Sequence, residues 1–406
     1  MPHHLSVLTG AGASVALGVS TTRELTDSVW TALQQPNGMH FDHSVLKKPR
    51  RSDKLRSILE SGLLNRYSFE HIIHALESIV SFGASWEDEN SRAGFIDGLL
   101  TAGPVWMLRQ CFDERWAEIA AHTAASDVRA GIDRTASAAK NSEEWKTFGT
   151  VFGQLLKVFD ASFFTTNYDT LLEDALGFGP ADEGFGPICT AQGNRSFNAH
   201  SVPRLRMMHL HGSLRMCRDT GGPPPRLEGD FYKMYWNERI ETTLYGRSMY
   251  ADRPSQTGRR IYVGPVVSGL DKTSKLVTEP YLTYNTMLYR SLSESPLLLI
   301  VGYAFGDLHI NAAIEMHARV HGTRRRVVVI DKVVPDGDGI QRVGDGSGTV
   351  EKHLNDLSFD MTLADKSKQD GMGTSADGTH MVYWTGLLDV MKSRWGDVTS
   401  FLLSGM

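Results

Sequence analysis

The chain has 406 residues, a formal net charge of −5, 41% hydrophobic residues and 22% charged residues. This composition is typical of a globular chain with a sizeable core, and it argues against a disordered protein and a strongly basic nucleic-acid-binding protein. Its three cysteines are too widely spaced for a cysteine-rich zinc module, and with no signal-peptide pattern or long apolar run we expect a cytoplasmic protein.

The first predicted element is a short strand that ends in a glycine turn. Leu5–Thr9 is a β-prone run, Gly10–Ser14 (GAGAS) follows directly, and apolar spacing predicts a helix over residues 21–35. A strand, glycine turn and helix begin dinucleotide-binding folds, because the glycines let the backbone approach a pyrophosphate. The third glycine of the GxGxxG pattern is replaced by Val15, so a simple tight turn is the alternative.

Residues 37–149 show the spacing of helices. Apolar residues recur at helical intervals from Phe69 to Val80, with Ser68 as a candidate N-cap, and again over residues 95–108 and 116–125. We therefore predict a helical insertion over 37–149. It would interrupt a Rossmann-like catalytic domain formed by residues 1–36 and 150–335. Residues 336–406 are predicted to be a loop and a C-terminal helical segment that packs on the domain or mediates assembly.

Further strands are predicted after the insertion, at residues 161–166, 205–210, 261–263, 296–301 and 326–331. The last two are nearly continuous apolar runs, which are typical of parallel strands buried on both faces. A helix is predicted between them, over residues 311–320. Strands that alternate with helices predict an α/β fold with a Rossmann-like, doubly wound, mainly parallel sheet.

Polar side chains follow the strand at residues 161–166. Asn167 and Asp169 come where that strand ends, and ligands of open α/β sheets bind at the carboxyl ends of the strands. Asp169 has an alternative role, because an Asx-turn could cap the helix predicted to follow it. Asn167 is the stronger functional candidate.

A histidine pair, His209 and His211, ends the next strand. Alternation along the strand places both side chains on one side. Such a pair can begin a metal site, but the sequence does not reveal the further ligands. Alternatively, one histidine is a general base beside Gly212, and the other, His209 in particular, is structural.

Four segments occur in the order and spacing found in sirtuins: Gly10–Ser14 (GAGAS), Thr165–Asp169 (TTNYD), His209–Ser213 (HLHGS) and Val301–Asn311 (VGYAFGDLHIN). The chain resembles the sirtuin family, and within it the bacterial sirtuin-like NAD hydrolases, to which Phe69–Glu77 is also similar. It departs from the deacetylases at two places. In the deacetylases a four-cysteine zinc module follows the His-Gly motif, whereas here only Cys217 lies nearby. After the glycine turn, Gly18–Thr22 replaces their Pro-Asp-Phe-Arg-like segment.

The resemblance implies that NAD is the substrate and that Asn167 and His211 are catalytic. It implies no metal ion. It places Asp331 at the hydroxyls of the adenosine ribose. The other NAD-binding residues implied by position are Gly10, Ala11, Gly12 and Ser14 at the pyrophosphate and ribose, Gly302 and Tyr303 on the adenosine side, and Thr166, Asp169 and Asp307.

The implied activity is NAD hydrolysis to nicotinamide and ADP-ribose, which in bacterial relatives serves antiphage defence. Because uncontrolled NAD loss harms the host, we expect a homo-oligomer, a regulatory partner such as a HerA-type ring ATPase, or both. Neither membrane binding nor nucleic-acid binding by the chain itself is expected. Two alternatives are a sirtuin-type protein deacylase or ADP-ribosyltransferase, and a non-catalytic sensor of NAD or ADP-ribose.

Overall fold

The computed structural model describes residues 3–34, 49–63, 67–84, 114–190, 193–198, 205–218, 234–238, 250–254, 260–262, 272, 276, 279–336, 339–342 and 371–404. The helices are α1 (Ala11–Ala16), α2 (Thr22–Gln34), α3 (Pro49–Leu63), α4 (Phe69–Ala84), α5 (Glu114–Ala139), α6 (Glu143–Val158), α7 (Leu171–Leu176), α8 (Tyr281–Glu294), α9 (Leu308–His321), α10 (Leu387–Ser393) and α11 (Trp395–Leu403).

The strands are β1 (His3–Thr9), β2 (Phe159–Thr165), β3 (Phe185–Ile188), β4 (Arg195–Phe197), β5 (Met207–His209), β6 (Met216–Arg218), β7 (Met234–Trp236), β8 (Tyr250–Pro254), β9 (Arg260–Tyr262), β10 (Leu297–Val301), β11 (Arg326–Ile330), β12 (Val333–Asp336), β13 (Gly339–Arg342), β14 (Met372–Thr374) and β15 (His380–Tyr383). In the described part of the chain, seven of them form the main sheet, in the order β14-β15-β11-β10-β1-β2-β5. All neighbours pair in parallel except β14 and β15.

Helices cover both faces of this sheet. Val7, Phe163 and Leu299 belong to a buried cluster that includes residues of α2, α6 and α11. The alternate residues Leu8 and Phe164 belong to a second cluster that includes residues of α8 and α9. Because neighbouring residues of each central strand are buried on opposite faces, the predicted α/β, doubly wound fold is confirmed.

The order in which strands are added to the sheet changes direction at β1. From β1 the chain adds β2 and β5 on one side, and then crosses to add β10, β11 and β15 on the other. This makes the gap between β1 and β10 the topological switch point of the sheet. In open α/β sheets, ligands bind at such a point, outside the carboxyl ends of the strands.

Helices α2, α4 and α5 lie beside the carboxyl ends of the central strands. The amide of Phe69, at the start of α4, donates to Thr26 Oγ1 of α2 (2.9 Å). Arg129 of α5 reaches the segment after β5, where its Nη2 donates to the carbonyl of Leu214 (2.7 Å). The helical pattern over residues 95–108 lies outside the described residues. Among the described residues, we find no helix with the length and hydropathy of a membrane span.

Three local predictions were wrong. Residues 261–263 were assigned to the main sheet, but β9 pairs antiparallel with β8 in a separate ribbon. The predicted loop that starts at Asp336 contains β13, which forms a hairpin with β12. The C-terminal segment contributes β14 and β15 to the main sheet before its helices begin.

Candidate active site

A cavity of about 270 Å³ opens at the switch point of the sheet. Eight of the residues predicted from the sequence line it: Ala11, Ser14, Thr166, Asn167, Asp169, His211, Tyr303 and Asp307. Four others, Gly10, Gly12, Gly302 and Asp331, are not among its lining residues. The structure therefore brings the two predicted catalytic residues together, while four of the predicted NAD-binding residues do not line the cavity.

Gly10, Gly12 and Gly302 allow two loops to touch. The Gly12 amide donates to the carbonyl of Gly302 (2.9 Å), and the Gly10 amide donates to that of Val301 (2.9 Å). A Cβ on Gly10 would lie 2.6 Å from the Cα of Tyr303, and one on Gly12 would lie 2.9 Å from the Cα of Gly302. These glycines thus have a packing role that the sequence pattern did not reveal.

The Asn167 side chain is held at the end of β2 by the glycine turn. Its Nδ2 donates to Ser14 Oγ (2.7 Å), while its Oδ1 is buried without a hydrogen-bond partner in the described structure. Asp169 forms the Asx-turn considered as its alternative role, because the Leu171 amide donates to Asp169 Oδ1 (3.0 Å). Burial raises the pKa of the Asp169 carboxyl above its usual value.

The two histidines of the HLHGS segment have different surroundings. His211 lines the cavity, with 2% of its surface exposed, whereas His209 is fully buried and does not line the cavity. His209 Nε2 lies 3.2 Å from Glu173 Oε1 and 3.9 Å from Glu183 Oε2. Burial alone would lower the pKa of His209, but the two carboxylates outweigh it and raise this pKa to about 9. The raised pKa makes His209 a buried cation at neutral pH, and its contacts fit the structural role that was its alternative in the sequence analysis.

This buried cluster of His209, Glu173 and Glu183 supports the loop that carries Asn167. With His209 protonated, its Nδ1 donates to the backbone carbonyl of Asn167 (3.3 Å). Burial also raises the pKa of the Glu183 carboxyl, to about 7, while His209 opposes this rise. The cluster thus holds the loop through charges that have no access to water.

We expect the free energy of unfolding to fall as the pH rises from 6.5 to 9. The folded-state pKa of His209 is raised, so its contribution is complete below pH 6.5 and is lost as the pH approaches 9. The raised pKa of Glu183 acts in the same direction between pH 4.5 and 7. Urea unfolding at pH 6 and pH 9 measures the change, which should reach a few kcal/mol at about 1.4 kcal/mol per pKa unit.

The matched control is the triple variant Glu173→Gln/Glu183→Gln/His209→Gln, which removes both carboxylates and their cation together. Its stability should depend much less on pH than that of the wild type. An equal slope in both proteins would show that the cluster does not contribute this pH dependence.

Sequence reasoning missed two charged residues of the cavity, Glu70 and Lys272. Lys272 Nζ lies 2.9 Å from Asp307 Oδ1 and 3.2 Å from Glu70 Oε1, so the lysine joins α4 to the loop before α9. Tyr168 Oη donates to the same Glu70 oxygen (3.3 Å). Burial alone would lower the pKa of Lys272, but Glu70 and Asp307 outweigh it and raise this pKa. The ammonium is therefore charged at neutral pH.

These charges act on His211, whose Nε2 lies 3.7 Å from Asp307 Oδ1. Burial and the Lys272 charge lower the pKa of His211 to about 3, against the opposing effect of Asp307. Burial alone would raise the pKa of Asp307, but the neighbouring His211 and Lys272 lower it. Since His211 is neutral at pH 7, Lys272 is the effective cation beside the Asp307 carboxylate. The site thus presents a neutral imidazole next to an ionised carboxyl group.

Asp331 lies farther away, directly after β11, which is two strands from β1. Its amide donates to the carbonyl of Tyr383 (2.9 Å), and its Oδ1 accepts from the Lys332 amide (2.9 Å). The structure does not bring Asp331 to Asn167 and His211.

One protein-family model and several solved structures are similar to this chain. Residues 161–342 match the family model described as a SIR2-like domain. Among solved structures, a Sir2 homologue mutant in complex with 2′-O-acetyl ADP-ribose is 14% identical with a TM-score of 0.41, over 99% of this chain and 94% of that chain. A Sir2 homologue–NAD complex is 14% identical with a TM-score of 0.40, over 99% and 91%. A search of curated proteins gave no significant match.

The matched region begins in β2 and ends in β13. It includes Asn167, the HLHGS segment and Asp307, whereas the glycine turn and α4 lie before it. Residues 161–342 of this chain are therefore similar to a SIR2-like domain.

Proposed function

We propose that this chain hydrolyses NAD at the nicotinamide–ribose bond, giving nicotinamide and ADP-ribose. The observation that carries the proposal is that Asn167 and His211 line one cavity, each with a polar atom free of hydrogen bonds in the described structure. Asn167 Oδ1 and His211 Nε2 are those atoms. Buried polar atoms are normally paired, so these two are suited to bind a substrate hydroxyl or a water molecule.

The bond that breaks has a good leaving group. The nicotinamide of NAD is a pyridinium, and it departs neutral when the electrons of the C–N bond move to its nitrogen. The ribose carbon left behind develops positive charge, and the oxygen of a water molecule forms the new bond to it. The enzyme must therefore orient the ribose and that water, and accept one proton.

The neutral His211 can accept that proton from the water as the new bond forms. The imidazolium that results lies beside the Asp307 carboxylate, which stabilises it. Asn167 orients the water or a ribose hydroxyl through Oδ1 without adding charge. Ser14 holds the amide in place through Nδ2.

The cavity is slightly smaller than the usual range of small-molecule pockets, about 300–1,000 Å³. We infer that it receives the nicotinamide ribose. The adenosine would extend over Tyr303 toward the ends of β10 and β11, where Asp331 is the proposed partner of its ribose. This arrangement keeps the bond to be broken at Asn167 and His211.

The test is to incubate the purified chain with NAD and to quantify nicotinamide and ADP-ribose by liquid chromatography. We expect equal amounts of both from the wild type, and a large loss of both from Asn167→Ala. His3→Gln, an exposed change at the opposite end of β1, is the control. Nicotinamide with acyl-ADP-ribose or labelled protein instead would indicate a transferase, and NAD binding without any product would indicate a sensor.

From the resemblance we further propose that the activity depletes NAD in antiphage defence, in the cytoplasm. A homo-oligomer and a HerA-type ATPase partner are the proposed means of control. Assaying the chain with and without such a partner separates a silent hydrolase from a sensor, because only the hydrolase gains activity. We also propose that the helical insertion over residues 37–149 is a separate unit of the chain. Its helix α4 contributes Phe69 and Glu70 to the lining of the cavity.

A further inference from the structure

Three side chains with metal-binding atoms converge at the wall of the cavity: His211 and Asp307, which line it, and the neighbouring His309. One ligand atom from each lies within 4.8 Å of the others, and the ring centres of the two histidines are 5.6 Å apart. Asp307 precedes α9 as its N-cap residue, and His309 is in its first turn. The set contains only one member of the histidine pair singled out in the sequence, His211, and His209 is not part of it.

We propose that His211, Asp307 and His309 bind a divalent transition-metal ion, with Zn²⁺ as the preferred ion, and that this ion inhibits the enzyme. Inhibition follows because the metal takes the lone pair with which His211 would accept a proton. Only the inhibition rests on the proposed function. The binding itself stands on the ligands.

The geometry is close to that of a zinc site. Bonds of about 2.0–2.2 Å to nitrogen and oxygen place tetrahedral ligand atoms about 3.4 Å apart. His211 Nε2 and Asp307 Oδ1 are 3.7 Å apart, so small side-chain rotations bring them onto one ion. Three protein ligands leave a fourth position for water, which is typical of open zinc sites.

Two of the ligands have binding atoms that no other group uses. The Nε2 atoms of both histidines are buried and lack hydrogen-bond partners in the described structure. Imidazole nitrogen and carboxylate oxygen are among the donors that Zn²⁺ binds in proteins.

Lys272 is the competitor for this site. Its ammonium binds Asp307 and repels an incoming cation, but it also contacts Glu70. When a metal takes Asp307, the lysine can keep Glu70 as its partner. Lys272→Met removes the competing charge, so we expect this variant to bind the metal more tightly than the wild type.

The second cluster of potential ligands carries no such proposal. Glu173, Glu183 and His209 also place ligand atoms within 4.8 Å of one another. However, the proton on His209 already supplies a cation there, and the Arg215 charge acts on Glu183. A further divalent ion would have to displace that proton in a site with no exposed surface.

The test uses Co²⁺, because its visible absorption is much stronger in four- or five-coordinate protein sites than in water. Tag-free wild type should give this spectrum at one ion per chain, and Zn²⁺ should abolish it by displacement. His309→Gln should weaken binding at least about tenfold, the lower end of the effect of losing even a supporting partner. His3→Gln, which also removes one histidine, should bind like the wild type.

Two results would overturn the proposal. One is a spectrum that stays that of the aqueous ion, and the other is equal binding by the wild type and His309→Gln. If His309→Gln fails to fold by circular dichroism, Lys272→Met decides, since unchanged or weaker binding by that variant contradicts the site. Zn²⁺ should also inhibit nicotinamide release. If the chain binds Co²⁺ but the metal-free protein releases no nicotinamide either alone or with the proposed ATPase partner, the proposed function is refuted and this site is left in place.

Discussion

Replacing His211 with glutamine is expected to lower the rate of nicotinamide release from NAD by about 10²–10⁴-fold. Glutamine fills similar space and retains hydrogen bonding, but it cannot accept a proton. The protein should remain folded, because His211 faces the cavity and the buried cluster around His209 is unchanged. Chromatography of the products gives the rate, and a thermal unfolding scan of each variant confirms folding.

The pH dependence of the rate gives an independent check. A histidine base with the usual pKa of 6.5 loses activity as the pH falls through that value. Since burial and Lys272 lower the pKa of His211 to about 3, we expect a flat rate from pH 8 to about pH 5. A loss of activity centred near pH 6.5 would contradict the electrostatic surroundings described for His211. Full activity of His211→Gln would contradict the role of His211 as the general base.

Gly302→Ala is expected to destabilise the protein by about 2–6 kcal/mol, with about 1–3 from backbone strain and about 1–3 from overpacking. Gly302 has a φ of +61°, which side chains other than glycine rarely adopt. A Cβ would lie 2.3 Å from the Ala13 nitrogen and 2.5 Å from the Gly12 carbonyl carbon. Both contacts are with backbone, so no side-chain rotation relieves them. Urea unfolding at constant pH measures the loss.

Gly153→Ala is the matched control. Gly153 lies within α6, and an added Cβ would meet no atom within 4 Å. In a helix the exchange should stabilise the protein by about 0.5–1 kcal/mol. Equal unfolding midpoints for the two variants would argue against the close loop contact at Gly302.

The central strands could be predicted from the sequence because burial on both faces imposes a simple pattern. Leu297–Val301 is apolar throughout, and all five residues are buried in the structure. The strand β15, which is second from one edge of the sheet, escaped prediction because it is short and begins with His380. One sequence feature could have revealed it, since Asp377-Gly378 is a common hairpin turn and joins β14 to β15. In the hairpin of β12 and β13, the last paired residues are also an aspartate and a glycine, Asp336 and Gly339.

The side chains at strand ends could also be predicted, because the carboxyl ends of parallel strands meet at one edge. This rule brought Asn167 and His211 into one cavity. It could not identify Lys272, which follows no strand or motif and reaches the cavity only in the folded chain. Glu70 was missed because it belongs to a predicted helix. The apolar spacing of a helix identifies its buried face, but it does not identify the contacts of its polar residues. The separation of His209 from His211 depends on Glu173 and Glu183, which no spacing rule connects to them.

The contact between the two glycine loops affects how charge can contribute to ligand binding. Three of the four amides from Gly10 to Ala13 already donate within the protein, to the carbonyls of Val301, Gly302 and Gly10. Those amides are the donors that such a turn usually offers to phosphate groups. With few of them free, a dinucleotide would be recognised mainly through its sugars and rings. Its affinity should then change little with ionic strength, unlike that of ligands held by their phosphates.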